Sequence, residues 1–408
     1  FLDCECGARH SVGTHQAGAE LPCDCGRVLA VPRLGELRQL PREGGTTAAV
    51  DSVTRWGVGH SLVMAGLTDG ELAGIPRGEI ARVISPSRGC AIAGQAAPVS
   101  GLTRAALSNW CAQSGYPGVT WTIDDGPDGL WAVMRKGPLD GSDDWTHRSH
   151  YADGNPQSRD TALKWPYVTQ WTGKPHYDLR YHSTHLIAGG RVIAIGLDSQ
   201  YTFVTGFWAR SAFNGQLLWR HELPTNIFAG VSPMVATSNA VYVLDGNTVL
   251  VIDPETGADT GRITFPGLAG QGKWLGIHRG IMVVLAGAQQ GTEWAKAYGI
   301  GNQGKMVVWA SGTQIAAYDI AAGTTCWMHT EAAPIDVRMF GVSDYSTDGA
   351  ARVYFYSCTN RLAALDLFTG GLLWQNTNAA DMAKLEEVEG WGGRIGTQRA
   401  FMATKDVL

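Results

Sequence analysis

One phrase, A-x-D-x-x-T-G-x-x-x-W, returns four times along the chain, and a chain built on such a return is restricted to repeat architectures. The copies run from Ala209 through Gly215 to Trp219, from Val251 through Gly257 to Gly261, from Ala317 through Gly323 to Trp327, and from Ala364 through Gly370 to Trp374. In the second copy Gly261 stands where the others have Trp. The last positions fall 42, 66 and 47 residues apart, and two of these steps match the ~40–50 residue period of propeller blades. The long step contains "AGAQQGTEWAKAYGIGNQGK", which reads as a loop inserted between strands.

Each copy reads as a hairpin. The Asp begins a turn by accepting hydrogen bonds from backbone two residues on, and the Gly takes the positive-φ position that other residues resist. The Trp can then pack between neighbouring blades while its indole N–H finds a polar partner. Upstream lie the apolar, β-branched runs "HLIAGGRVIAIG", "AVYVLDG", "GIMVVLAG" and "ARVYFYSC", as expected of strands buried between sheets. The 53 Gly and 15 Trp agree with a turn-rich β architecture.

On these phrases, residues 145–408 resemble the quinoprotein-type β-propellers. That family includes pyrroloquinoline-quinone dehydrogenases and also cofactor-free scaffolds such as the outer-membrane assembly lipoprotein. The resemblance implies about four blades over 141–408, a ring incomplete in this chain. "TQRAFMATKDVL" reads as the opening strand of a fifth blade. An open sheet edge there is an aggregation hazard, so protein partners or a second copy are expected to complete the ring, unless the chain is truncated. The start at Phe1, without a charged-then-apolar leader, fits a processed or an incomplete chain.

Residues 41–140 change pattern. "HSLVMAGL" reads as a strand, "IPRGEIARVI" as a helix with Pro near its start, and "GCAIAG" as a short strand. "SGLTRAALSNWCAQSG" reads as a helix opened by Ser and closed by Gly, followed by a hairpin around "GPDG". This βαβα-ββ order, with Glu79-Ile-Ala-Arg82-Val83-Ile-Ser-Pro86-Ser-Arg-Gly89, resembles the second half of a class I methyltransferase. The adenosylmethionine-binding first half has no room here, since Gly57 and Gly59 form only a lone G-x-G. A packing remnant is expected. The fusion of such a half to a propeller resembles planctomycete proteins.

Within 1–40, Cys4, Cys6, Cys23 and Cys25 form two C-x-C-G knuckles. Four thiolates in paired knuckles suit tetrahedral zinc, and so small a module needs metal to supply its folding energy. It resembles a zinc ribbon, with knuckles one residue short. His10 and His15 are possible substitute ligands, and cross-knuckle disulfides are the alternative. Four protein ligands leave no open position, so such a site is structural.

A second cluster comprises His147, His150, His176, His182, His185 and His221, with Asp178. A shared metal and a polar propeller mouth are both readings, and groups satisfied by backbone are the simpler one. No catalytic residue is assigned. Vicinal Cys-Cys is absent from the sequence, and no Glu/Asn/Asp set matches the dehydrogenases, so pyrroloquinoline quinone is not expected. Neither C-x-x-C-H, G-x-S-x-G, a P-loop nor H-E-x-x-H occurs. The balance of 32 basic against 37 acidic residues offers no basic field for nucleic acid. No apolar run approaches the ~18 residues of a membrane helix.

The reading is a non-catalytic propeller scaffold acting in a protein assembly. The alternative is a quinone- or metal-dependent oxidoreductase completed by blades outside this chain. Location stays divided, because the propellers favour the cell envelope and a thiolate zinc site favours a reducing cytoplasm.

Overall fold

The computed structural model describes residues 2–4, 6, 9–10, 20–30, 61–112, 118–165, 171, 185–197, 203–228, 233–288, 311–344, 348–357 and 361–387. Contacts divide the chain into two units, Phe1–Arg55 and Trp56–Leu408. In the first, β1 (Leu2–Asp3) pairs with β2 (Arg9–His10), and β3 (Glu20–Pro22) pairs with β4 (Val28–Ala30). Among the described residues of this unit, the buried ones are Cys4 and Cys23.

The second unit opens with the strands and helices expected from sequence and one further short helix, in the order βααβα-ββ. It comprises β5 (Ser61–Ala65), α1 (Asp69–Ala73), α2 (Arg77–Val83), β6 (Cys90–Ala96), α3 (Arg104–Ala112), β7 (Val119–Gly126) and β8 (Gly129–Lys136). The strands run β5-β6-β8-β7, with β5 and β6 parallel and the rest antiparallel. Thr68 and Glu71 close a capping box on α1. Pro76 stands at the N-cap of α2, and Lys136 Nζ caps its far end through the carbonyls of Ala81 at 2.8 Å and Ile84 at 3.1 Å. The expected Ser cap of α3 is corrected. Thr103 takes that place, its Oγ1 accepting from Ala106 N at 3.1 Å, while Ser100 N is held by the Gln95 side chain.

Four blades follow. The first is β9 (His185–Ala188), β10 (Arg191–Leu197), β11 (Phe203–Ser211) and β12 (Leu217–Phe228). The second is β13 (Met234–Ala236), β14 (Val241–Asp245), β15 (Thr248–Ile252) and β16 (Asp259–Thr264). The third begins with β17 (Gln271–His278), β18 (Ile281–Gly287) and β19 (Ser311–Asp319). Its outer strand is the first half of β20 (Thr324–Ser343), which runs on to become the inner strand of the fourth blade. That blade adds β21 (Arg352–Ser357), β22 (Arg361–Asp366) and β23 (Leu372–Asn376), and α4 (Ala379–Glu387) follows. The inserted loop after "VVLAG" is placed outside the described residues from 289 onward, and so is "TQRAFMATKDVL".

Each repeated phrase is the outermost hairpin of a blade. The same register shift recurs in all four, at Ala209/Arg210, Val251/Ile252, Ala317/Tyr318 and Ala364/Leu365. A bulge at this point twists the outer strand and re-aims the side chains beyond it. Asp253 Oδ1 accepts from the N–H groups of Glu255 and Thr256, and Asp319 and Asp366 repeat the pattern. Ser211 is the weaker substitute in the first blade, accepting from Phe213 N at 3.3 Å. One apolar core joins blades one to three, from Leu186 through Val243 to Val284, and a second joins blades three and four. The α/β segment is tied to this array by Arg88, which meets the Glu255 carboxylate that also receives Arg191 of β10. Burial lowers the Arg191 guanidinium to about 10.

Candidate functional site

The four N-terminal cysteines converge. Asp3 of β1 leads into Cys4 and Pro22 of β3 into Cys23, so each hairpin delivers one buried thiol, with Cys6 and Cys25 exposed beside them. Cys4 and Cys25 Sγ lie 3.6 Å apart and Cys6 and Cys23 Sγ 3.7 Å, with all four within 4.8 Å of one another. Four sulfurs at ~2.3 Å from a tetrahedral ion would be separated by about 3.8 Å, whereas a disulfide needs ~2.0 Å. The second knuckle turns through Gly26 at φ +86°, whose N–H donates to Cys23 O at 2.8 Å. The Cys25 backbone N–H favours the Cys23 thiolate, but burial and the crowding of Cys25, Cys6 and Cys4 push its thiol up to about 12. A divalent cation reverses that balance by stabilising thiolates. The cluster could therefore hold a metal, and among the described residues it is the one group of three or more ligand side chains so placed. The His10 side chain and His15 lie outside the described residues.

The histidines divide differently. His176, His182 and Asp178 lie outside the described residues. His147 and His150 belong to a strap, residues 145–152, that crosses the free edges of the inner strands in blade order. Trp145 exchanges backbone hydrogen bonds with Ile187 of β9 at 2.7 and 2.8 Å, and Thr146 O accepts from Ala236 of β13 at 3.0 Å. His147 Nε2 accepts from Ile277 N of β17 at 3.0 Å, and Ala152 O accepts from Val342 N of β20 at 2.8 Å. One segment thus satisfies an edge group of every blade.

Accepting at Nε2 leaves the His147 proton on Nδ1, which faces Thr146 Oγ1 at 2.7 Å. Burial, with His278 and His150 nearby, lowers His147 to about 3, so it stays neutral. His150 Nε2 contacts Asp143 Oδ2 at 2.6 Å, Arg159 N donates to the same oxygen, and Tyr151 Oη donates to Oδ1. Burial raises the Asp143 carboxyl, but these donors outweigh it and hold it below its ordinary value. His221 sits elsewhere, its Nδ1 3.0 Å from Gly257 O at the seam between blades one and two. His147 and His221 are therefore satisfied by backbone. Beside the strap lies a cavity of about 270 Å³ lined by Tyr151, Asp153, Arg159, His278 and Asp344.

The blade seams show one recurring contact. Trp219 Nε1 donates to Pro254 O at 2.9 Å, and Trp327 Nε1 donates to Leu367 O at 2.8 Å. Each indole lies on the Gly three residues further on. A methyl group on Gly257 would stand 2.7 Å from the Trp219 ring, and one on Gly370 2.6 Å from Trp327. A third instance escaped the sequence reading. Trp171 Nε1 donates to Ala212 O at 2.8 Å, with its ring on Gly215. The signal was its place 48 residues before Trp219, within the blade period. Among the described residues the Gly261 seam has no indole, and a methyl group on Gly323 would meet Tyr318 Oη at 3.7 Å. Phe265 packs edge-on to Tyr318 there. Trp374 departs from the expected packing role. It is 38% exposed, against 6% for Trp219 and 9% for Trp327.

Residues 204–395 match the PQQ_2 family model, described as outer membrane protein assembly factor BamB. No curated protein matches the sequence. Among solved structures, BamB from Moraxella catarrhalis is similar at 15% identity and TM-score 0.30, over 47% of each chain. A europium-containing methanol dehydrogenase is similar at 14% identity and TM-score 0.36, over 64% of this chain and 49% of that one. Quinohemoprotein alcohol dehydrogenase from Comamonas testosteroni is similar at 15% identity and TM-score 0.33, over 47% of this chain and 34% of that one. The chain thus spans about half the length of the first two and a third of the last. The repeat match and the four blades, carried on three sheets, make this a mainly β fold of PQQ-like propeller blades, whose ring is not closed among the described residues.

Proposed function

We propose that the chain is a non-catalytic propeller scaffold that binds protein partners, with a structural zinc in its N-terminal unit. The supporting observation is the fourth described blade, where among the described residues Leu373 is 49% and Trp374 38% exposed at positions at which the first blade packs Leu218 and Trp219. Large apolar side chains left adjacent at a sheet edge favour a protein interface. The name of the matching family, an assembly factor, agrees with this reading. Among the described residues no helix is long and apolar enough to cross a membrane.

Zinc is favoured over other ions because four thiolates at tetrahedral spacing suit it. Residues 41–140 serve as a packing element in this reading, consistent with the Arg88–Glu255–Arg191 junction. Mass spectrometry of the purified protein, native and denatured, tests the whole. A native gain of one zinc, lost in Cys23→Ser, is expected. A gain matching a quinone with calcium, accompanied by dye reduction with alcohols, would replace the scaffold with the oxidoreductase alternative.

A further inference from the structure

The cavity beside the strap is built around a carboxylate that no close cation neutralises. Asp153 lines it and is only 6% exposed. Its Oδ1 accepts from Asn155 N at 3.0 Å, while among the described residues its Oδ2 has no hydrogen-bond partner and Asp153 enters no ion pair. Burial raises the Asp153 carboxyl, against the Asn155 N–H and the charges of Arg159, His150 and His278. The nearby guanidinium groups have other contacts. Arg279 Nη2 donates to Asp344 Oδ2 at 2.7 Å, and the Arg159 guanidinium stands over the Tyr151 ring at 5.0 Å. A volume of about 270 Å³ is well above the ~10–15 Å³ that one water needs.

The walls are held from outside the cavity. Tyr151 Oη is fixed on Asp143 Oδ1 at 2.6 Å. Arg279 and Gly280 form the β17–β18 turn with φ +48° and +79°, angles that Asn-Gly satisfies more easily, and Arg279 from there anchors Asp344. His150, just before Tyr151, holds φ +73°. Two of the three described non-glycine residues at positive φ thus flank this one space. Its chemistry selects the occupant. A buried carboxylate without a counter-ion favours a cation, and the Tyr151 ring with Ile277 and Val342 favours methylenes beside it. A metal fits less well, because Asp153, His278 and Asp344 do not gather into a ligand group as the four cysteines do. With Oδ1 already occupied, Asp153 offers one oxygen, which suits a compact ammonium better than a bidentate guanidinium. We propose that this cavity binds a primary ammonium group on a short methylene chain, with Asp153 as its counter-ion and Tyr151, Ile277 and Val342 as its apolar wall. A free alkylamine and the lysine side chain of a protein partner both offer that chemistry. The inference stands whether the propeller is a scaffold or an oxidoreductase.

The test labels the full chain with 3-fluorotyrosine and assigns the Tyr151 resonance by its loss in Tyr151→Phe. The probes, added at pH 7, are 1-aminobutane, its uncharged analogue 1-butanol, and Nα-acetyl-lysine methylamide. The expected result is a Tyr151 resonance that shifts saturably with 1-aminobutane and at least about 10-fold more weakly with 1-butanol. Asp153→Asn, which keeps an acceptor for Asn155 N, should weaken the amine by at least about 10-fold and leave the response to 1-butanol unchanged. A lysine derivative that binds as well as 1-aminobutane assigns the ammonium to a protein partner, and one that is excluded assigns it to a free amine. No saturable shift with either amine, or an equal response to amine and alcohol, overturns the proposal, as does an undiminished response in Asp153→Asn. Should that variant lose its folded spectrum, the comparison of amine with alcohol on the unaltered protein decides.

Discussion

The seam between blades three and four and the seam between blades two and three do the same work by different means. The first is closed by an indole lying on Gly370 and bonded to Leu367 O. The second has Gly261 in place of the indole and closes through Phe265 against Tyr318, with ring centroids 5.8 Å apart. The apolar core runs through both seams, with Leu250 and Leu275 in one cluster at the second and Val283 and Val353 in another at the first. What differs is the outer closure: an indole on a Gly turn in one, a pair of smaller rings in the other.

Breaking the indole seam should have the largest effect. Trp327→Ala is expected to cost about 3–5 kcal/mol, read by urea denaturation, because a buried indole and its hydrogen bond are both lost. Trp374→Ala should cost under about 0.5 kcal/mol in the same assay, its ring being uncovered. Gly370→Val should cost about 3 kcal/mol, combining left-handed strain with a methyl driven into the Trp327 ring, while Gly323→Val at φ +71° should cost only the strain, about 1–2 kcal/mol. Equal losses would mean that the indole contact adds nothing.

The inner edge offers a contrast in pH. Because His147 is lowered to about 3 in the fold, below its unfolded value of ~6.5, the unfolded chain binds the extra proton between those limits. This contribution is complete above ~6.5 and falls by ~1.4 kcal/mol per unit as pH drops towards about 3. His147→Gln, which keeps an acceptor for Ile277 N, should flatten that slope in denaturation curves taken across the range. The smallest effect is expected of Gly261→Trp. Restoring the missing indole should stabilise by up to about 1 kcal/mol if Phe265 yields space, and a loss would show that Phe265 and Tyr318 already fill the seam.

Most of the blade architecture was readable because the outer hairpins share a positive-φ Gly and, in three of four each, an Asp-led turn and a Trp at fixed offsets. The convergence of Cys4, Cys6, Cys23 and Cys25 was readable for the same reason, since paired C-x-C-G knuckles mark thiols that come together. Trp171 was not, because no A-x-D-x-x-T-G precedes it and only its distance from Trp219 marks it. The strap was invisible for a deeper reason. It works mainly through backbone atoms, as at Trp145, Thr146 and Ala152, and peptide groups leave no trace in residue type. His147 was noticed as a possible ligand, but its role as an acceptor for Ile277 N depends on a partner 130 residues away.

Arrays of repeats ordinarily respond to stress from their ends, each unit holding only its neighbours and peeling away in turn. The strap alters that behaviour. A segment that precedes every blade in the chain grips Ile187, Ala236, Ile277 and Val342 in succession, so the loss of one inner strand loosens the thread that holds the others. Blades held on a common thread should release together rather than fray, and local opening at one rim position becomes a matter for the whole array.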